Sequence, residues 1–465
     1  MASPPDVGIT EHERLRAENL RRNEVILTSA RRKADHLSTA IRSPAVRRRS
    51  IMLSQPPADP QPAPPNPTPS RLRAPNKPTP YQRPDLPKPT PSRRRAPKPT
   101  PDDPRSTTFS STLASAIFET ISLSPGAAKI RADGFDAGKE LVLAPSNARK
   151  MLTNRIMALL VLPLVDRTVV TAGNNLGNIG FWHADGEPGV VAEADGVFEY
   201  LPHRGPVTAI VAHLAAPHKI YSCSREGEIC LMDLHKESFN IIHKCDYSLY
   251  TLCQAPDSAS CLYFGGVNGK LKVFDERMGK VSITWDAHGN VVNSIDFHPE
   301  KKHMLATSST DKTARIWDLR RLTKKKGDCL KVLEHDASVQ SAYFSPSGRM
   351  LATTSLDDTV RVFEGDDFSS SHIINHNNQT GRWISSFKAI WGWNDADLFI
   401  GNMNRAIDII SIGSRSDGGS LSASNSACLE SEHMKTIPCR FSAHPYRVGH
   451  LACASTAGVF LWTRA

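Results

Sequence analysis

A strand–turn–strand unit ending in Trp-Asp recurs along the C-terminal two-thirds of this chain, and such a unit buries its apolar faces only by stacking on further copies of itself. The clearest copy is Leu305-Ala-Thr-Ser-Ser-Thr-Asp-Lys-Thr-Ala-Arg-Ile-Trp-Asp-Leu-Arg320. Its residues fit a strand over 305–309, a polar turn over 310–313, and a second strand closing on Trp317-Asp318. Weaker copies occupy 262–275, 351–364 and 451–462. Aligning all copies puts Trp182, Met232, Phe274, Trp317, Phe363, Ile410 and Trp462 at one register. Their gaps lie near the ~40–45 residues of a WD-repeat blade, lengthened in places by loop insertions. The expected fold is an all-β, seven-bladed WD-repeat β-propeller over residues 140–465, with the ring closed because no blade can bury both faces alone. Only Thr463, Arg464 and Ala465 follow Trp462, which leaves the seventh blade without an outer strand of its own. Residues 140–144 (ELVLA), just before the first repeat, are expected to supply it.

Blade four also carries His288 before its first strand, Ser309, Asp311 and Trp317. A carboxylate, an imidazole, a hydroxyl and an indole N–H suit a buried hydrogen-bond chain, since each buried donor needs an acceptor. Blade five repeats the set as His335, Ser355 and Asp357, with Phe363 in place of the indole. A hydrolase triad uses similar residue types, but a set that recurs once per repeat reads as structural. No glycine-rich phosphate loop, Gly-x-Ser-x-Gly or His-Glu-x-x-His is present, so no catalytic residue, cofactor or metal site is assigned and the chain is not expected to be an enzyme.

Ahead of the repeats the chain divides into three. Residues 1–43 read as a charged helix, with Thr10 and Glu13 spaced as a capping box and Leu15, Leu20, Ile26 and Leu27 as a thin apolar stripe that needs a partner groove. Residues 44–106 are Pro-rich and basic, with Arg47-Arg48-Arg49 and Arg93-Arg94-Arg95; they cannot bury enough apolar surface to order themselves. The arginine clusters fit nuclear import or phosphate contact, and the Thr-Pro pairs fit proline-directed phosphorylation. Residues 107–139 form a mixed lead-in. The formal net charge of +10 favours a polyanionic partner. Nine scattered cysteines without a Cys-x-x-Cys pair read as reduced thiols, and no apolar run suits a membrane span or a signal peptide.

Several segments resemble one known family. Glu13-Arg-Leu-Arg-Ala-Glu-Asn-Leu-Arg-Arg-Asn-Glu24, Asn154-Arg-Ile156, Leu176-Gly-Asn-Ile-Gly-Phe-Trp182 and Gly381-Arg-Trp-Ile384 look like signatures of the nuclear WD-repeat proteins related to the yeast changed-mutation-rate protein. That family is more distantly similar to the small subunit of the UV-damaged-DNA-binding complex. The resemblance covers the N-terminal helix and the propeller but not the Pro-rich segment. It implies a nuclear protein that binds DNA, damaged DNA included; histones or other chromatin proteins are further candidate partners.

The turn between a blade's second and third strands shares a face with the loop entering the blade. Those positions hold Arg155, Arg204, Arg225, Lys312, Arg382, Arg405 and Lys435, a basic ring suited to phosphate oxygens. Trp383 stands beside Arg382, where an aromatic could stack on a displaced base. The resemblance places Arg204 and Arg225 on basic DNA contacts of the damage-binding relative, and 381–383 on its base-probing hairpin, whose residues are not reproduced here. On the other face, Asp275-Glu-Arg277 and Asp318-Leu-Arg320 close consecutive blades. They resemble the double motif of cullin–RING substrate receptors, which implies docking on the large subunit of the damage-binding complex. Two function classes compete: a non-enzymatic DNA-binding propeller that also serves a ubiquitin ligase, and a pure protein-interaction scaffold.

Overall fold

The structure, a computed structural model, describes residue 132 and residues 134–465 apart from 187–195, 217, 235, 237, 322–328, 382–383, 414–421 and 457. The expected N-terminal helix, the Pro/Arg-rich segment and nearly all of the lead-in lie outside the described residues, as do Arg382 and Trp383.

Strand pairing follows directly from the repeat. Blade one runs from Ile156–Val161 through Val169–Asn174 and Ile179–His183 to Val197–Tyr200, each strand antiparallel to the last. Blades two to six repeat this plan from the first strands Val207–Ala212, Leu249–Gln254, Val292–Phe297, Val339–Phe344 and Ile390–Trp391, and blade seven starts at Arg440–Ala443. The sequence register is reproduced pair by pair. Trp182 faces Val170, Met232 faces Ile220, Phe274 faces Leu262 and Trp317 faces Leu305 across the second and third strands. Phe363, Ile410 and Trp462 face Leu351, Leu398 and Leu451 in the same way. All fourteen side chains are buried. Because successive side chains of a strand point to opposite faces, each sheet is apolar on both sides. Seven apolar clusters result, one at each blade-to-blade contact, including one that joins Trp182 and Ala172 of blade one to Leu461 and Ala452 of blade seven. The ring therefore closes on seven blades.

Closure differs in detail from the expected five-residue strand. Only Leu141–Val142 pairs with the last strand, opposite Arg464 and Thr463. Pro145 lacks the N–H needed to extend the ladder, and Pro145–Asn147 turns as a single 3-10 segment. A second short strand, Ala148–Lys150, then pairs with Phe460, Val459 and Gly458 at the other end of the same edge. Glu140 is not a strand residue: it ends a one-turn helix, Ala137–Glu140, capped by the Asp136 carboxylate. Leu141 and Leu143 bury against Trp462 and Phe399, so the segment contributes core as well as edge pairing.

The buried polar chain of blade four also needs one correction. Trp317 Nε1–H donates to Thr307 Oγ1 at 2.8 Å, and Thr307 lies 2.7 Å from His288 Nε2. His288 Nδ1 lies 3.0 Å from Asp311 Oδ2, an acceptor, which fixes the proton on Nδ1 and leaves Nε2 to accept from Thr307. Burial alone would raise Asp311, but hydrogen bonds from His288, Thr313 and Gly289 outweigh it and hold the carboxyl well below its usual range. The hydroxyl is thus Thr307, not Ser309, whose Oγ accepts from Asp311 N–H at 3.0 Å and braces the turn. Blade five behaves alike: Thr353 Oγ1, not Ser355, lies 3.2 Å from His335 Nε2, and Phe363 packs edge-on against the imidazole. Residues 307 and 309 share one sheet face, so alternation cannot distinguish them; only the depth of the indole, opposite Leu305, selects Thr307.

Candidate nucleic-acid interface

One repeated hydrogen bond fixes which loops share a face. In blades one to five the backbone N–H of the residue starting the second-to-third-strand turn donates to a carbonyl of the loop entering the same blade. The pairs are Asn175 to Arg155, Arg225 to Pro206, Val267 to Ser248, Thr310 to Val291 and Leu356 to Ser338, all at 3.0–3.1 Å. On the opposite face, turns between third and fourth strands bond to loops between first and second strands, as in Glu276 to Ser260 and Leu319 to His303, both at 2.8 Å.

The first face carries the cations. Arg204, Arg225, Lys312, Arg405 and Lys435 are exposed there, and Arg155 is half-buried. The structure brings only some of them together. Arg155 and Arg225 border a well of about 320 Å³ at the mouth of the central channel, where Arg225 lies over the Tyr250 ring at 5.0 Å. Arg155 and Arg405 border a smaller depression of about 170 Å³ with Thr436 and Ile437, next to Lys435. Arg204 and Lys312 sit on the surrounding loops and line neither.

Backbone geometry at these turns is informative. The last turn residue adopts a left-handed conformation in blades two to five: Gly227 at φ +79°, Gly269 at +68°, Lys312 at +69° and Asp358 at +60°; in the longer turn of blade six the next-to-last residue, Arg405, does so at +66°. The three-residue loops of blades two to five fit a type I turn followed by a left-handed residue. Glycine adopts that conformation without strain, whereas lysine and arginine do not.

Two cations escaped the sequence reading because they lie inside the channel and not on the turns of the face. Lys388 lies two residues ahead of the inner strand of blade six and Arg440 begins that of blade seven; both line the well and the 520 Å³ channel volume beneath it. Lys388 Nζ donates to Asn293 O at 3.0 Å. Arg440 Nε donates to Met157 O at 2.7 Å, and its Nη1 donates to Ser386 O and Cys439 O at 2.8 Å each. Burial, reinforced by repulsion from Arg440, pulls Lys388 down to about 7. Farther down the channel, burial pushes Asp296 up to about 7 although it accepts the Phe344 N–H. The available signal was alternation: Phe387, Ala389 and Trp391 are buried while Lys388 between them faces the channel.

On the opposite face both arginines of the paired Asp-x-Arg motif are exposed, Arg277 at 75% and Arg320 at 67%. They are held differently. Arg320 forms a two-pronged ion pair with Asp318, Nε to Oδ1 at 3.0 Å and Nη2 to Oδ2 at 2.8 Å, which lowers the Asp318 carboxyl to about 2. Both aspartates accept the backbone N–H of their arginine, at 3.0 Å for Asp318 and 2.9 Å for Asp275, but the Arg277 side chain stands 3.7 Å from Asp275.

Seven four-stranded blades sharing one register, with the His–Thr–Trp chain in blade four, define a WD-repeat β-propeller. The family model described as WD domain, G-beta repeat matches residues 279–318 and 327–364. The chain is 30% identical over 302 residues to the DNA damage-binding protein CMR1 of Phaeosphaeria nodorum, covering 57% of this chain and 58% of that one. It is 28% identical over 319 residues to WD repeat-containing protein 76 of Xenopus laevis, covering 66% and 53%, respectively. A CMR1 of Aspergillus terreus is 28% identical over 305 residues, 57% of each chain. This chain is similar to these WD-repeat proteins, and it spans a little over half the length of each of them.

Proposed function

We propose that this protein is a non-enzymatic, nuclear DNA-binding propeller that acts in the response to DNA damage. The observation that carries the reading is the convergence of Arg155, Arg225, Lys388 and Arg440 on the channel mouth, within the face whose outer loops present Arg204, Lys312, Arg405 and Lys435. Cations spread over one face suit a duplex backbone, which supplies affinity without sequence. The names of the fungal relatives, DNA damage-binding proteins, point the same way. Titrating the full chain with intact and damaged duplex at two salt concentrations tests this. Binding that weakens steeply with salt is expected; salt-independent or absent binding would instead favour a scaffold whose basic face meets acidic chromatin proteins.

The exposed Arg277 and Arg320 on the opposite face support a second role, docking on the adaptor of a cullin–RING ubiquitin ligase while DNA occupies the first face. Planar guanidinium groups held on short turns suit carboxylate and carbonyl acceptors of a partner.

A further inference from the structure

Lys388 and Arg440 bring two positive side chains to the floor of the channel mouth. Among the described residues, no carboxylate forms an ion pair with Lys388 or Arg440, and every hydrogen bond they make goes to a backbone carbonyl. Placing two neighbouring cations in such a site is costly unless an anion joins them. The donors that remain are arranged for one. Nε and both Nη1 protons of Arg440 are committed, so the two protons of Nη2 are left over, and the Lys388 ammonium has used one of three. Four donors of two adjacent cations therefore remain beneath a well of about 320 Å³, room for a nucleotide-sized group but not for a double helix. The charge selects among anions. A phosphate monoester carries about −1.5 to −2 at neutral pH and matches two cations, whereas a carboxylate or an internal phosphodiester carries a single charge.

We propose that the channel mouth is a binding site for one terminal phosphate group, with Lys388 and Arg440 as its floor and Arg155 and Arg225 as its rim. The depressed value of Lys388 is the state expected of such a site before its anion arrives, because the anion restores the charged form. A phosphomonoester reaches the well either as the end of a DNA strand or as a free phosphate compound. Only the first source rests on the DNA-binding reading above, which would then include strand ends as well as duplex flanks.

The test uses the full chain and its Lys388→Met variant, which keeps the length of the side chain and removes a charge that burial already disfavours. Thermal melts with inorganic pyrophosphate should show stabilisation of the wild type and about a tenfold weaker response of the variant. A short single strand bearing a 5′-phosphate should bind the wild type about tenfold better than the same strand with a 5′-hydroxyl, and the variant should lose the preference. Pyrophosphate binding without a strand-end preference supports the site and assigns it to free phosphate compounds. Failure of the wild type to bind pyrophosphate, or equal binding by the variant, overturns the site. Duplex titration in parallel keeps the two readings apart, since retained salt-dependent duplex binding with no phosphate effect removes the well and leaves the DNA-binding face standing.

Discussion

Glu140 clasps Arg464 across the ring seam: Glu140 Oε2 lies 2.6 Å from Arg464 Nε, and the Glu140 carbonyl accepts the Ala465 N–H at 2.9 Å. Phe135 sits under the same guanidinium, 6.0 Å from its ring centroid, and packs edge-on against Trp393 of blade six. One short stretch thus ties blade seven both to its missing outer edge and to its neighbour.

Removing residues 1–145 should therefore lower stability by about 3–6 kcal/mol, from the lost burial of Leu141 and Leu143 alone. It also leaves half of the last strand as an unpaired edge. Removing residues 1–110 should leave the unfolding midpoint unchanged. Glu140→Ala alone should cost less than about 1 kcal/mol, because Arg464 is largely exposed. Denaturant melts of the three proteins check this, and equal midpoints for the two truncations would defeat the closure mechanism.

The two hydroxyls of blade four should separate cleanly. Thr307→Val strands both the Trp317 indole N–H and the His288 Nε2 inside the sheet, and each unsatisfied group costs about 1–3 kcal/mol. Ser309→Ala removes only a turn brace and should cost about 1 kcal/mol. A larger loss from the serine would return it to the buried chain.

Fold and site were legible in the sequence to different depths, for physical reasons. The register of Trp182 through Trp462 was readable because burying a large side chain at one level of every blade is what the repeat must do. The seam was half readable: an apolar run before the first blade marked it, but the turn at Pro145–Asn147 interrupts the pairing, which resumes at Ala148–Lys150 beyond that run. The cations on loops could be assigned to one face from strand order. Their grouping could not, because it depends on how far each loop leans over the channel. Lys388 and Arg440 were hidden for a different reason. A charged residue between buried apolar ones looks like an outward-facing position, and only the closed ring turns that direction into a channel.

Protonation of buried histidines should weaken the fold at pH values above the range of ordinary exposed carboxylates. Burial pushes His335 and His444 down to about 4 in the folded state. Both are then neutral when folded but protonated when unfolded over the range between about 4 and 6.5. A depressed histidine contributes stability that is complete above about 6.5 and is lost as pH falls towards the folded value, on the order of 3 kcal/mol each at the bottom of that window. Denaturation at pH 7 and pH 5 should show the fall, and His335→Gln should flatten it. A midpoint constant across that range would contradict the neutral-histidine assignment.

At the opposite face, Arg277→Ala with Arg320→Ala should abolish co-purification with a cullin–RING adaptor while leaving DNA titrations unchanged. Arg320 must first leave Asp318, so Arg277, whose side chain is less committed, should account for the larger part of the loss. Full recovery of the adaptor by the double variant would reduce both to internal ion pairs.

Lys312 and Arg405 allow DNA contact to be tested against stability in opposite directions. Each occupies a left-handed turn position, which for Lys312 is the one that glycine fills in blades two and three, a conformation costing an L-residue about 1–2 kcal/mol. Replacing either by glycine relieves that strain but loosens the unfolded chain, so stability should stay level or rise by up to about 1 kcal/mol. If these side chains only solvate the surface, nothing else should change. If they meet phosphates, each substitution should flatten the dependence of log K on log salt by about one unit, and Arg204→Ala with Arg225→Ala should flatten it by about two. The expected signature is a variant at least as stable as the parent that binds duplex more weakly. A loss of affinity accompanied by a loss of stability would point to the turn itself. Unchanged affinity and slope would remove Lys312 and Arg405 from the interface and confine it to the channel mouth.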